Sequence, residues 1–177
     1  MSATRRIFRS SATSNAEIRE LLESVFAAEL LLPSRCVWLI SPWLTDLEIL
    51  DNRAGAFASL DPQWGPRRIR IVEILGRLLE VGSNVVVATR PDRHNDSFIR
   101  KLDDLSRASG VSDRLAVHRS ETLHLKGILA SDFYLSGSMN LTFNGVEILE
   151  EGVTFETSPE AIGTARIQLL NSYGGVA

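Results

Sequence analysis

His124 and Lys126 stand two residues apart, and Gly137, Ser138 and Asn140 follow a short way downstream. On an extended segment alternate side chains share a face, so His124 and Lys126 are expected to point together while Leu123, Leu125 and Leu129 face a core. A neighbouring imidazole and ammonium repel one another when both are charged, and a chain that pairs them suits a site that receives an anion. Glycine at 137 lets the backbone approach a ligand closely. Exposed N–H groups, the Ser138 hydroxyl and the Asn140 amide can all donate to phosphate oxygens. A hairpin of residues 123–130 and 133–136, turning at Ser131–Asp132, would bring the two pieces side by side as an anion cradle around an imidazole.

The ordered set of His124-x-Lys126, an acidic residue at the hairpin turn, Gly137-Ser138-x-Asn140 and a later glutamate resembles the signature of the phospholipase D superfamily. Each fragment alone is common; their order from His124 to Glu151 carries the resemblance. It implies that His124 is a nucleophile that forms a phosphohistidine. Lys126 and Asn140 would hold the non-bridging oxygens with help from Ser138, and Glu151 would bind the other ring nitrogen of His124 and set its tautomer. Two positions depart from the pattern. The superfamily places an aspartate where this chain has Ser131, so Asp132 is expected to serve structurally at a tighter turn. An asparagine is usual two residues before the glutamate, where this chain has Leu149, and the adjacent Glu150 therefore competes with Glu151.

A narrower likeness spans most of the chain. Residues 7–15, Ser41-Pro42-Trp43, and residues 51–55, 88–92 and 133–140 are similar to the DpdK-type phospholipase-D-like proteins encoded with bacterial 7-deazaguanine DNA modification and restriction systems. The likeness implies a nuclease or nuclease-like subunit that acts on DNA lacking the modification, alongside other subunits of a restriction system.

One motif per chain has a chemical consequence. Displacement at phosphorus needs an attacking imidazole and an acid for the departing oxygen, and a positioned acid contributes roughly 10²–10⁴-fold. Of the three histidines, His94 and His118 lack a lysine two residues on and read as exposed or capping side chains. A twofold homodimer that sets His124 against its symmetry copy supplies both roles, with two Lys126 ammoniums balancing the phosphate. Small single-motif members of the superfamily are similar in using such a dimer. No cofactor is expected: the sequence has no His-x-x-x-His, no paired cysteines and no carboxylate cluster at metal-ligand spacing.

Composition bounds the partners less firmly. The formal net charge of −3 argues mildly against nucleic acid, since neutralising phosphates favours a basic surplus. Arg5, Arg6 and Arg9, then Arg67, Arg68 and Arg70, then Arg90 and Arg93 either line one groove or are scattered solvated side chains. DNA is the expected partner, with RNA open. A catalytically silent assembly subunit is the alternative, and a phospholipid substrate finds no support in a signal peptide, amphipathic membrane helix or second motif. Trp43 and Trp64 can stack bases, though core packing or loop anchoring is the expected use of each. The single cysteine, Cys36, lies in an apolar run and reads as a buried thiol, consistent with a cytoplasmic protein.

The elements that must position these residues are legible from periodicity. After a basic arm over 1–14, Ser14 to Glu17 has capping-box spacing and Ile18, Leu21, Leu22, Val25 and Phe26 recur at helical period up to about Leu31. Residues 36–40 and 84–89 are continuous apolar runs, as in strands covered on both faces. Helices are expected over 70–81, 96–108 and 159–170, short strands over 114–118 and 153–155, and a long irregular connection over 44–66. Strands alternating with helices and closing on a hairpin predict one α/β/α sandwich domain around a mixed sheet.

Overall fold

The structure is a computed structural model that describes residues 4–9 and 16–176. Its elements in chain order are β1 (Thr4–Arg9), α1 (Ala16–Leu31), β2 (Cys36–Ile40), β3 (Glu48–Asp51), β4 (Arg68–Arg70) and α2 (Ile71–Glu80). They continue as β5 (Asn84–Thr89), α3 (Arg93–Ala108), β6 (Leu115–Arg119), β7 (Gly127–Leu129), β8 (Tyr134–Gly137), β9 (Glu151–Glu156) and α4 (Pro159–Tyr173). Among the described residues, seven strands form one sheet in the order β1-β9-β8-β7-β2-β5-β6. Parallel pairing of β2, β5 and β6 and antiparallel pairing elsewhere make the sheet mixed.

Side-chain alternation divides β2 between two cores. Val37 and Leu39 enter a core built with α1, α2 and α3, whereas Cys36, Trp38 and Ile40 enter a second core under α4. Both faces of the central strands are therefore covered, and the expected α/β/α sandwich is the fold. Burial pushes the Cys36 thiol above its ordinary range, in keeping with a structural cysteine. None of the described helices is long and apolar enough to cross a membrane.

Several expectations need correcting. Residues 4–9 are no loose arm: β1 pairs residue for residue with β9, and Ile7 is buried between them. The capping box at Ser14 lies outside the described residues. The connection over 44–66 contains β3, which pairs with β4 into a two-stranded sheet. Fully buried Asn52 braces the rest of that segment, donating to the Trp64 and Gly65 carbonyls and accepting from the Phe57 N–H. Trp64 is buried as part of the packing.

The hairpin is also shorter than its apolar pattern predicts. Regular pairing covers only Gly127–Leu129 and Tyr134–Gly137, and residues 123–126 precede it as irregular chain. Buried Ser34 fixes the turn end of this hairpin. Its hydroxyl accepts from Ser131 N–H at 2.9 Å and donates to the Glu29 carboxylate at 3.0 Å, while Arg166 donates to the Ala130 and Ser131 carbonyls. Asp132 is exposed and makes none of these bonds. The turn is held at the Ser131 backbone by a serine and an arginine from elsewhere in the fold.

Candidate active site

The register of the sheet decides what meets at its edge. Ile40 of β2 lies opposite Ala88 of β5 and Gly127 of β7, Gly127 lies opposite Ser136 of β8, and Gly137 lies opposite Val153 of β9. The carboxyl ends of β2, β5 and β8 and the amino ends of β7 and β9 therefore emerge along one edge. His124 and Lys126 lead into β7, Ser138 and Asn140 leave β8, and Glu151 opens β9. The crevice beyond the carboxyl ends of parallel strands is where open α/β sheets bind ligands.

His124 is exposed, and Lys126 is buried at 8% relative exposure. They do not meet by strand alternation, because this stretch is not a strand. The Lys126 chain folds back so that Nζ donates to the His124 carbonyl oxygen at 2.7 Å and lies 3.5 Å from Nδ1 of the ring. Burial lowers the Lys126 pKa, nearby Glu151 opposes that effect, and nearby Arg90 adds to it. A small cavity lined chiefly by apolar groups, among them Ile128, Met139 and Leu141, lies beside the lysine and keeps its surroundings poor in water.

On the other side of the crevice, the Ser138 hydroxyl donates to a Glu151 carboxylate oxygen and accepts from the Gly152 N–H at 3.0 Å, while Ser138 N–H donates to the Gly152 carbonyl. Gly137 is required for this approach: its φ is +151°, and a Cβ there would stand 2.0 Å from the Gly152 carbonyl oxygen. The Glu151 carboxylate engages Ser138 and makes no hydrogen bond to the His124 ring, which differs from the arrangement expected from its spacing. Glu150 is exposed and has no hydrogen-bond partner among the described residues, so Glu151 is the carboxylate that faces Ser138 and Lys126.

Asn140 sits on the irregular chain after β8, 3.5 Å from the Ser41 hydroxyl. That hydroxyl donates to the Trp43 carbonyl at 2.7 Å and accepts from Leu141 N–H at 3.2 Å, so it clamps the Asn140 loop to the end of β2. Fully buried Asn95 secures the same corner by accepting from Leu44 N–H and donating to the Pro42 and Arg90 carbonyls. The sequence offers little to mark these roles: Ser41 ends an apolar run as part of Ser41-Pro42-Trp43, and Asn95 is one polar residue near a helix start.

The two remaining histidines lie elsewhere in the fold. His94 belongs to the first turn of α3 and touches the Thr45 hydroxyl through Nε2 at 3.1 Å. His118 is inside β6 with its ring against Tyr173. Neither joins His124.

No family model matches the sequence, and no curated protein resembles it closely enough to count as a relative. Solved structures do match the fold. NucT from Helicobacter pylori superimposes with a TM-score of 0.63 at 15% identity, covering 99% of this chain and 100% of that one. A phospholipase D family member, Nuc from Salmonella typhimurium, gives 0.58 at 11% identity over 97% and 93%. Phosphatidylserine synthase from Haemophilus influenzae gives 0.62 at 15% identity, with 97% of this chain matching 38% of that larger one. At these identities what is shared is the fold, a mixed-sheet sandwich of the phospholipase-D-like kind.

Proposed function

We propose that the chain is a metal-independent phosphodiesterase of the phospholipase D superfamily that cleaves nucleic acid, DNA in the first instance, through a phosphohistidine. The observation that carries the reading is the convergence at one sheet edge of an exposed imidazole, a buried ammonium with no carboxylate bonded to it among the described residues, and the Ser138 and Asn140 segment. A buried, desolvated cation favours the arrival of an anion, and a phosphodiester supplies one.

In the reaction a ring nitrogen of one His124 attacks phosphorus, forming an N–P bond as the bond to the leaving oxygen breaks. The His124 imidazolium of a second subunit gives its proton to that oxygen. Water then attacks the phosphohistidine, the second imidazole takes the proton released, and the N–P bond breaks to restore both rings. Lys126 and Asn140 hold the non-bridging oxygens throughout, Ser138 assists, and Glu151 orients the ring. A twofold homodimer with the site on its axis fits the single His-x-Lys motif. The Asn140–Glu151 loop also exposes Phe143, Ile148 and Leu149 at 55%, 60% and 50%, apolar surface that a second copy would cover. The likeness to DpdK-type proteins extends the reading to a restriction or phage-defence role in the cytoplasm with further subunits.

A second reading has one observation in its favour: the carboxylate expected on His124 is bonded to Ser138 instead. The chain would then be a silent binding or assembly subunit. Brief incubation with oligonucleotide followed by mass spectrometry separates the two readings. A phosphate adduct on His124 that forms in EDTA and is lost in His124→Ala establishes the enzyme. Cleavage that requires added magnesium, or is equal in wild type and His124→Ala, refutes the mechanism.

A further inference from the structure

Several arginines of the described chain are paired with carboxylates. Arg67 is paired with Glu73, Arg68 and Arg70 with Glu48, and Arg119 with Asp96, so their charges are locally offset. Arg90 has no carboxylate partner among the described residues, yet it is half-buried and held firmly. Its Nε donates at 2.8 Å to the carbonyl of Leu123, the residue directly before His124. Its guanidinium carbon stands 5.3 Å from the centre of the Trp43 ring, a cation–π contact that orients the fork. Its own carbonyl accepts from buried Asn95, and its N–H points to the Pro42 carbonyl. The donors on its two terminal nitrogens have no hydrogen-bond partner among the described residues.

Lys126 has the Glu151 carboxylate nearby, whereas no described carboxylate pairs with Arg90. A half-buried guanidinium held through its Nε and an aromatic ring, with its fork unused, is placed to receive an anion of its own. Its planar fork matches two oxygens of a phosphate.

We propose that Arg90 is a second phosphate site, which grips the phosphodiester next to the scissile one. The preferred substrate is then a strand with at least two successive phosphates, not an isolated diester or a phospholipid headgroup. The inference rests on the phosphodiesterase reading above and specifies its substrate.

Two measurements on the full chain test it. Binding of a fluorescein-labelled DNA oligonucleotide is titrated against His124→Ala and His124→Ala/Arg90→Gln proteins over a range of salt, after matching melting curves establish that both are folded. Loss of one charged contact should weaken binding roughly tenfold and flatten the log–log salt slope by about 0.7 for a single strand. In proteins with His124 intact, Arg90→Gln should lower kcat/KM on the oligonucleotide about tenfold more than on bis(p-nitrophenyl) phosphate, which has no neighbouring phosphate. Equal losses on both substrates would assign Arg90 to the scissile group or to the Leu123 carbonyl and overturn the proposal. Unchanged binding and slope would overturn it as well. If the wild type turns over neither substrate, the phosphodiesterase reading fails, and the binding titration still decides the role of Arg90.

Discussion

Nζ of Lys126 lies 3.5 Å from Nδ1 of His124 while it donates to that residue's carbonyl oxygen at 2.7 Å. The contact places a desolvated ammonium against an exposed ring, and it has a consequence for pH. Burial holds the Lys126 pKa below its ordinary value, so the folded chain binds fewer protons than the unfolded chain between the depressed pKa and about 10.4. Charging Lys126 costs stability below that window, and the cost is relieved as pH rises through it. The Lys126 ammonium, followed directly by NMR, should accordingly titrate below pH ~10.4. Lys126→Met should lose roughly 10²–10³-fold in kcat without lowering the melting temperature at pH 7. A titration midpoint at or above an ordinary lysine's pKa, or a destabilised Met variant, would show that the ammonium is not desolvated.

Glu151 and Glu150 are neighbours with different surroundings. Glu151 takes the Ser138 hydroxyl and bears on Lys126, whereas Glu150 faces solvent. On the role proposed for it in orienting His124, Glu151→Gln should reduce kcat on the order of 10²-fold or more. Glu150→Gln should stay within a factor of about 2, the usual scale for an exposed substitution. Steady-state kinetics on one oligonucleotide decides between them, and a reversed order would move the orienting role to Glu150.

Gly137 brings the chain within reach of Gly152 in a way no side chain permits. Gly137→Ala combines an unfavourable φ with a Cβ placed 2.0 Å from a carbonyl oxygen, and should cost at least about 2–3 kcal/mol. Chemical denaturation of the two proteins gives the difference directly. A variant as stable as the parent would mean that the backbone at the Ser138 turn is more pliable than this geometry requires.

Asn95 ties the loops after β2 and β5 together through three hydrogen bonds in a fully buried position. Asn95→Ala leaves two carbonyls and one N–H without that partner and should destabilise by about 3 kcal/mol. Because these loops carry Trp43 and Arg90, oligonucleotide binding should weaken together with stability. Full affinity in a destabilised variant would separate the corner from the site.

Glu29, buried at the far end of the hairpin, is raised above its ordinary pKa by burial, although Ser34 donates to it through both N–H and hydroxyl. A raised folded pKa contributes stability that is complete below the unfolded value of about 4.3 and is lost as pH rises through the folded value. Glu29→Gln removes this dependence. The melting-temperature difference, variant minus wild type, should therefore become more positive from pH 4 to pH 7, and a flat difference would refute a raised pKa.

The sequence by itself determined the sandwich, because continuous apolar runs at 36–40 and 84–89 and helical periodicity elsewhere leave a two-sided sheet as the way to bury them. Residue types and order likewise marked His124, Lys126, Ser138 and Asn140 as one group. What it misjudged was local: β1 owes its strand to pairing with β9 more than a hundred residues away, and β3 to pairing with β4 across a long loop. Tertiary structure alone decided that Lys126 folds back onto His124, that Glu151 meets Ser138, and that Ser41, Asn95 and Arg90 belong to the same corner. Each of these is a side-chain contact, to backbone or to another side chain, set by burial and register. Such contacts leave no periodic trace along the chain, since the partner is fixed only when the strands have paired.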